Sequence, residues 1–447
     1  MKLAKLSLAT ALCVSCAFGA DTFADAFLNA KVSAEFRAWY FNKKTDTTGD
    51  RKHIHNLGVQ LGYLTDPFYG FRLGLTGQGN VNKGVSDEAK ALWDKEQWGN
   101  GFVLSEAYIG YGFAKSDIKV GRQFVRTPVV AGNPTRIFNE AFEGVSVESK
   151  DLADTTLYAN WFYKFQGRTS RVNMPANTKD KSKAPAFKDR VILAGTGPWT
   201  HEIDNVYSVG VSNKSVENLT LAAQYAYVDG VNWQSSRTGN SNTKKGEISL
   251  YYAEANYVLP FEALKLKFDA QYRGSRTDLN GADETKSGAG GAKRGYDGDM
   301  IGLRVGFSDL FGVSASIAYT SVTDKDALIV GVGNGPTTYT MLPIRGPYVF
   351  TSHAGMDMYK LDFGYDFKTV GVNGLKASAA YVWGEQDGQK NNYDITGYAV
   401  GASYDVAGVK GLNVAATYVK TDKDYQSGND PWDKEFWLKF TYKISNK

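Results

Sequence analysis

The sequence LKLKFDAQYR, residues 264–273, alternates apolar and polar side chains without a break. Its even-numbered positions are apolar, and its odd-numbered positions carry lysine, aspartate, glutamine or arginine. Successive side chains of a β-strand point to opposite faces, so such a strand has one apolar and one polar face. The stretch therefore predicts a strand that separates an apolar environment from water.

The same period of two recurs along the chain after residue 30. Eighteen strands are predicted, over residues 31–41, 53–64, 69–80, 102–113, 117–124, 144–149, 155–164, 205–213, 218–228, 247–258, 264–274, 299–307, 312–322, 356–367, 374–384, 393–406, 411–420 and 435–444. A soluble sandwich would show the same alternation, so the pattern alone does not separate a sandwich from a barrel.

The connections between these strands separate the two folds. Short connections follow the even-numbered strands, at 65–68, 114–116, 214–217, 308–311 and 407–410. Long polar connections generally follow the odd-numbered strands, at 81–101, 165–204, 275–298 and 323–355. A tilted strand needs roughly 9–11 residues to cross a bilayer. We therefore predict an all-β, transmembrane antiparallel β-barrel of 18 strands with short periplasmic turns and long extracellular loops.

The N-terminus carries an export signal. Residues 1–20 place Lys2 and Lys5 before a short apolar run, and small residues offer cleavage after Gly19 or Ala20. Both cysteines lie in this segment, and a lipid-modified Cys16 is the weaker alternative because the preceding residues depart from the leucine-led pattern. We predict a signal peptide at 1–20 and one barrel domain at 21–447, without disulfides.

Composition supports an exported β protein. The chain has 27 Tyr, 24 Phe, 9 Trp and 48 Gly, and no later apolar run is long enough for a membrane helix. Aromatic residues fall near the ends of predicted strands, as an interfacial girdle requires. Loss of the two signal-peptide lysines leaves 49 basic against 47 acidic residues, so charge gives no reason to expect nucleic acid as a partner.

One connection differs from the other polar loops. VGRQFVRTPVVAGNPTRIFNEAFEGVSV, residues 120–147, combines Pro128, Gly132 and Pro134 with charges of both signs and apolar anchors. Proline and glycine end the strand here. Charges beside apolar residues favour a segment folded against the barrel wall, and we place this constriction loop at about 125–143. A surface loop with one buried edge is the alternative.

The motifs VGRQ (120–123), TPVV (127–130), TRIF (135–138) and AFEGV (141–145) resemble the constriction-loop region of the OprD family of outer-membrane porins. VSAEFRAWYF (32–41), LGYLTDPFYGFRLGL (61–75) and KFQGR (164–168) look like the epsilonproteobacterial branch of that family. The resemblance covers nearly the whole mature chain. It implies an eighteen-stranded barrel, a third loop that folds inward, and a ladder of basic residues on the wall for anionic groups.

The resemblance also implies site residues. The expected pore constriction is Arg122, Arg126, Arg136, Glu140 and Glu143, and the basic ladder candidates, which rest more on alternation, are Arg37, Arg72, Lys265, Lys267, Arg273 and Arg304. One departure is the C-terminus, which ends in Ser-Asn-Lys after Phe440, Tyr442 and Ile444, whereas such barrels commonly end on an aromatic residue.

The sequence gives little support for a catalytic or metal-binding site. His53 and His55 share a strand face but lack a third ligand nearby, and His201 and His353 lie in long loops without a strand-borne serine. No catalytic residue, metal or cofactor is predicted. The expected function is an outer-membrane porin for passive, partly selective diffusion of ions and small hydrophilic solutes, with carboxylate-bearing solutes favoured.

The alternative function is a surface adhesin or structural barrel with a closed lumen. Small predicted lumen-side residues, such as Ser314 and Ser316, favour an open pore instead. The expected partners are outer-membrane lipid and lipopolysaccharide, and small solutes and ions. A homotrimer is left open, since no surface in the sequence argues for or against one. The expected location is the bacterial outer membrane.

Overall fold

A computed structural model of the chain describes residues 19–46, 52–82, 85–170, 183–197, 200–233, 245–279, 295–387, 392–428 and 430–446. The predicted signal peptide lies almost wholly outside these residues. Eighteen strands of the described chain form the wall: β1 Lys31–Thr45, β2 Lys52–Leu64, β3 Phe71–Val81, β4 Gly101–Phe113, β5 Ser116–Gln123, β6 Ala141–Ser149, β7 Thr155–Gln166, β11 Asn205–Asn213, β12 Leu219–Val231, β13 Gly246–Pro260, β14 Lys265–Asp278, β15 Asp299–Leu310, β16 Val313–Val322, β18 Met356–Asp366, β19 Leu375–Gln386, β20 Tyr393–Asp405, β21 Leu412–Tyr425 and β22 Trp432–Ser445.

The wall closes on itself. Each wall strand pairs antiparallel with the next, β7 pairs with β11, and β16 pairs with β18. β1 pairs with β22 from Ser33 opposite Ser445 to Thr45 opposite Asp433, which leaves the sheet without a free edge. The predicted 18-stranded antiparallel barrel is confirmed. Several strands run further outward than predicted, because neighbouring strands go on pairing after the alternation fades.

The remaining elements are short. Four small strands are β8 Phe187–Lys188, β9 Arg190–Ala194, β10 Thr200–Glu202 and β17 Gly331–Val332. The helices of the described residues are α1 Phe23–Leu28, α2 Asp87–Trp93, α3 Pro347–Phe350 and a 3-10 turn at Phe367–Val370. Within these residues no helix has the length and apolar character needed to cross a membrane.

Alternation decides which side chains face inward. On β15, Ile301, Leu303 and Val305 are exposed on the outer surface, whereas Met300, the residue before Ile301, is fully buried inside. The same parity places Arg304 inside the barrel. Loop lengths follow the predicted asymmetry less strictly, since the outer connections 46–51, 387–392 and 426–431 are as short as the inner connection 65–70.

Three outer connections fold into the barrel in the parts that the structure describes. We name them L3 (residues 124–140), L4 (167–204) and L7 (323–355), and L2 (82–100) lies beside L3. β9 pairs with β10 in L4 and with β17 in L7, which forms a small three-stranded sheet inside the wall. Apolar residues of these loops pack on inward residues of β7 and β11–β13 in one buried cluster. Only L3 was predicted to fold inward.

Candidate pore constriction

L3 and L7 meet along a strip of backbone hydrogen bonds inside the barrel. Val332 N donates to Val129 O at 2.8 Å, and Ala131 N donates to Val332 O at 3.0 Å. Gly335 N donates to Ala131 O at 2.9 Å. Because both loops satisfy backbone groups on each other, neither can leave the lumen alone without exposing unpaired donors and acceptors.

Glycines of L7 permit this close approach. Gly333 adopts φ +84°, and a Cβ there would lie 2.2 Å from the Ala131 carbonyl oxygen. A Cβ on Gly331 would lie 2.4 Å from the Val129 oxygen. The glycine run at 331–335 therefore has a packing role against L3, which the sequence did not reveal.

Glu140 is the polar centre of the contact. Its Oε2 accepts from Asn133 N at 2.9 Å and Asn334 N at 3.0 Å. Its Oε1 accepts from Asn334 Nδ2 at 2.5 Å and faces Arg168 Nε at 3.2 Å. The carboxylate is fully buried, so it joins L3, L4 and L7 rather than facing a solute.

Arg136 also binds neighbouring segments. It is 4% exposed, and its Nε donates to Glu96 Oε2 of L2 at 2.8 Å while Nη2 donates to Ile344 O of L7 at 3.2 Å. Burial alone would raise the pKa of the Glu96 carboxyl, but the charges of Arg136, Arg168 and Lys43 outweigh it and lower that pKa to about 2. Glu96 of L2 therefore stays ionised at neutral pH and forms a salt bridge with Arg136 of L3.

Two candidates of the basic ladder hold the loops to the wall. Arg273 is 2% exposed and donates to the carbonyl oxygens of Pro128 in L3 and of Val330 and Thr337 in L7, at 3.1, 2.8 and 3.0 Å. Arg37 donates from Nη1 to Ile137 O at 2.7 Å. Both point inward as predicted, but the Nη groups of Arg273 are used by loop carbonyls, and Arg37 divides its donors among Ile137 O and the wall side chains of Glu35 and Gln60.

Arg122 and Glu143 lie outside the passage, contrary to the expectation for them. Arg122 shares its face of β5 with outward Val120, which is 54% exposed. It pairs with Glu143 of β6 at 2.9 Å, and the next residues toward the loop, Gln123 and Phe142, are the buried inward ones. The strands continue through these positions, so alternation rather than the loop sets their direction.

The other predicted residues are spread along the barrel. Arg126 lies on L3, is exposed, and forms no hydrogen bond or salt bridge through its side chain in the described chain. Arg72 pairs with Asp117 at 2.5 Å, and Lys265 pairs with Asp309 at 2.8 Å beside an inner turn. Arg304 pairs with Asp269 at 2.7 Å. Of the five predicted constriction residues, Arg136 and Glu140 are buried among the inward loops, and Arg126 lies on L3 with an exposed side chain.

Lys439 of β22 binds L3 to the wall, and the sequence did not single it out. Its Nζ donates to Thr135 O of L3 at 2.8 Å and lies 4.0 and 4.3 Å from the ring centres of Trp39 and Trp437. The guanidinium of Arg136 also lies over the Trp437 ring, 4.6 Å from its centre. Alternation did predict that Lys439 faces inward, but its partners come from β1 and L3.

The loops leave a cavity of about 550 Å³ inside the barrel, which we call the vestibule. L2, L3, L4 and L7 line it together with inward residues of β1, β18 and β22. Its basic residues are Lys43, Lys95, Arg136, Arg168, Arg345 and Lys360, and its acidic residues are Glu96, Asp362, Asp433 and Glu435. Four of the nine that the sequence did not single out, Lys95, Glu96, Arg168 and Arg345, were missed because L2, L4 and L7 give no local signal of folding inward; the other five lie on wall strands.

The inward side of β16 is open, as its small residues predicted. Ser314 and Ser316 line a further cavity of about 400 Å³. A barrel with a closed lumen would fill this space with large side chains. Together with the vestibule, this cavity argues against the closed-barrel alternative.

Comparisons with known proteins agree with this architecture. The family model described as "outer membrane porin, OprD family" matches residues 67–445. Among solved structures, Pseudomonas aeruginosa OccK8 (OprE) has 18% sequence identity and a TM-score of 0.71, covering 94% of this chain and 99% of that one. Acinetobacter baumannii OccAB2 has 17% identity and a TM-score of 0.72, covering 95% and 100%. No curated protein matches the chain.

Proposed function

This chain belongs to the OprD family of outer-membrane porins, and from that premise we propose that its channel favours small solutes carrying a carboxylate. Porins of this family are channels of the bacterial outer membrane, and the chain has their barrel fold. We further propose that it has no catalytic activity. The proposal concerns the choice of solute within the channel.

The charge of the vestibule carries this proposal. Six basic side chains line it against four acidic ones. Charges confined between low-dielectric walls act strongly on a passing ion, because little water remains to screen them. The excess of positive charge favours anions, and the acidic residues tolerate a cationic group on the same solute.

Arg126 is not part of the vestibule lining, but it is the predicted constriction arginine whose exposed side chain has no described partner, so its replacement breaks no described loop contact. The reversal potential in asymmetric KCl across planar bilayers measures ion preference. We expect Arg126→Ala to shift the preference toward cations while the conductance steps stay discrete. Arg122→Ala is the matched control, since that arginine lies on the outer face of β5.

Equal reversal potentials for the two variants would reject a role for Arg126 in selection. A cation preference in the unaltered protein would reject the proposed selectivity as a whole. Absence of stepwise conductance from folded protein would contradict channel formation itself.

Three further proposals come from the sequence. Cleavage of a signal peptide after Gly19 or Ala20 is tested by sequencing the N-terminus of the mature protein. Contact of the outer surface with lipopolysaccharide is tested by its retention through purification. A homotrimer is tested by cross-linking the protein in native membranes.

A further inference from the structure

The further cavity, of about 400 Å³, lies against the inward side of β14, β15, β16, β18 and β19. Its polar lining is Lys267, Asp269, Arg304, Asp362, Ser308, Ser314, Ser316 and Ser378. Asp362 also lines the vestibule, so the two cavities adjoin. Ser308 and Ser314 flank the connection between β15 and β16, which places this cavity toward the end of the barrel with the short turns.

Most charges of this cavity are paired within the protein. Arg304 Nε donates to Asp269 Oδ2 at 2.7 Å, and its guanidinium lies 4.3 Å from the ring centre of Tyr339 in L7. Asp362 Oδ2 lies 3.0 Å from Lys360 Nζ. Lys267 forms no salt bridge in the part of the chain that the structure describes. It is therefore the cation most available to an anionic group of a solute.

The serine hydroxyls are available in the same way. Ser308, Ser314, Ser316 and Ser378 make no side-chain hydrogen bond to any described residue. Gly364 of β18 stands between Ser314 and Ser378 in the strand register, and a Cβ there would lie 2.6 Å from Ser314 Oγ. The glycine thus leaves the neighbouring hydroxyls uncovered. Each hydroxyl offers one donor and two acceptor positions.

We propose that this cavity binds hydroxylated carboxylates, such as sugar acids and hydroxy acids. The Lys267 ammonium holds the carboxylate, and the serine hydroxyls hold the hydroxyl groups of the same solute. The cavity volume falls within the range of about 300–1,000 Å³ that is common for small-molecule sites. This inference rests on the proposed preference for carboxylates and names the chemical class within it.

Block of single-channel KCl conductance tests the site, with gluconate and hexanoate as probes. Both are six-carbon carboxylates, and only gluconate carries hydroxyl groups. We expect gluconate to halve the conductance at a several-fold lower concentration than hexanoate. In the double variant Ser314→Ala, Ser378→Ala, the gluconate concentration that halves the conductance should rise about fivefold per lost hydrogen bond. The hexanoate concentration that halves the conductance should stay unchanged.

Two further variants separate the contributions. Lys267→Gln should weaken block by both probes, because both carry the carboxylate. Ser212→Ala is the matched control, since Ser212 lies on the inward side of β11, away from the cavity, and should change neither. Serine-to-alanine changes keep the strand and its volume, so folding is retained.

The site is overturned if gluconate and hexanoate block equally in the unaltered protein, or if neither blocks. It is also overturned if the double serine variant behaves like Ser212→Ala. The proposed function can fail separately from this site. A channel that prefers cations in asymmetric KCl, yet is blocked by gluconate in a serine-dependent way, would reject the proposed preference for carboxylates and keep the binding site.

Discussion

Replacement of Glu140 by alanine is expected to release L3 from L7. The Glu140 carboxylate is fully buried, accepts from Asn133 N and from both Asn334 donors, and forms an ion pair with Arg168. Removal of one partner from a buried ion pair costs about 3–5 kcal/mol, because the remaining charge stays buried without compensation. Arg168 keeps Glu96 at 3.7 Å, so we place the cost at the lower end of that range.

A cost of about 3 kcal/mol corresponds to a change of roughly 10²-fold in the equilibrium between docked and released loops. Brief releases of L3 would then become frequent events during a recording. We expect Glu140→Ala to give a larger mean conductance and much greater open-channel noise in planar bilayers. Its circular dichroism should still show a folded barrel, because the wall strands are not altered.

Glu143→Ala is the matched control for this experiment. Glu143 is three residues further along the chain and also pairs with an arginine, but the pair lies on the outer face of the wall. It should leave conductance and noise unchanged. Quiet, discrete steps of unaltered size in Glu140→Ala would refute the conclusion that this carboxylate holds the loops together.

Two other changes test the same loop contact. Gly333→Ala places a Cβ 2.2 Å from the Ala131 oxygen in a positive-φ conformation, so we expect noisier conductance, whereas Gly346→Ala, where a Cβ meets nothing within 4 Å, should be silent in the same recordings. Acidification tests Glu96: its pKa is lowered to about 2 from an ordinary value of 4.5, so its pairing with Arg136 and Arg168 is fully present above about pH 4.5 and is lost as pH falls through about 2. In Glu140→Gln, which removes the Glu140 carboxylate from the contact, open-channel noise should be the same at pH 7 and pH 4.5 and should rise toward pH 2. A rise already complete at pH 4 would contradict the lowered pKa of Glu96.

The wall of the barrel could be predicted from the sequence because its signal is local. Alternation fixes which side of a strand faces lipid, as for Ile301 and Leu303, and it also gave the inward direction of Arg37, Arg273 and Arg304. The ends of the strands were less accurate, since pairing with a neighbour extends a strand beyond its apolar pattern.

The role of each inward residue could not be predicted in the same way. Arg273 was expected to face solutes, yet its donors are used by carbonyl oxygens of L3 and L7, 57 to 145 residues away in the chain. The inward course of L7 depends on glycines that fit L3, and no period in the sequence signals such a fit. Arg122 and Glu143 were misplaced because a motif, rather than the strand parity, assigned their direction.

The glycine-edged contact between L3 and L7 also decides how this channel can be re-engineered. A foreign L3 grafted alone would meet Gly331 and Gly333, whose open surfaces match the backbone at 129–131. It would also have to supply a carboxylate where Glu140 meets Asn334. Residues 124–140 and 323–355 are therefore the unit to transplant into another barrel, and a chimera should carry both.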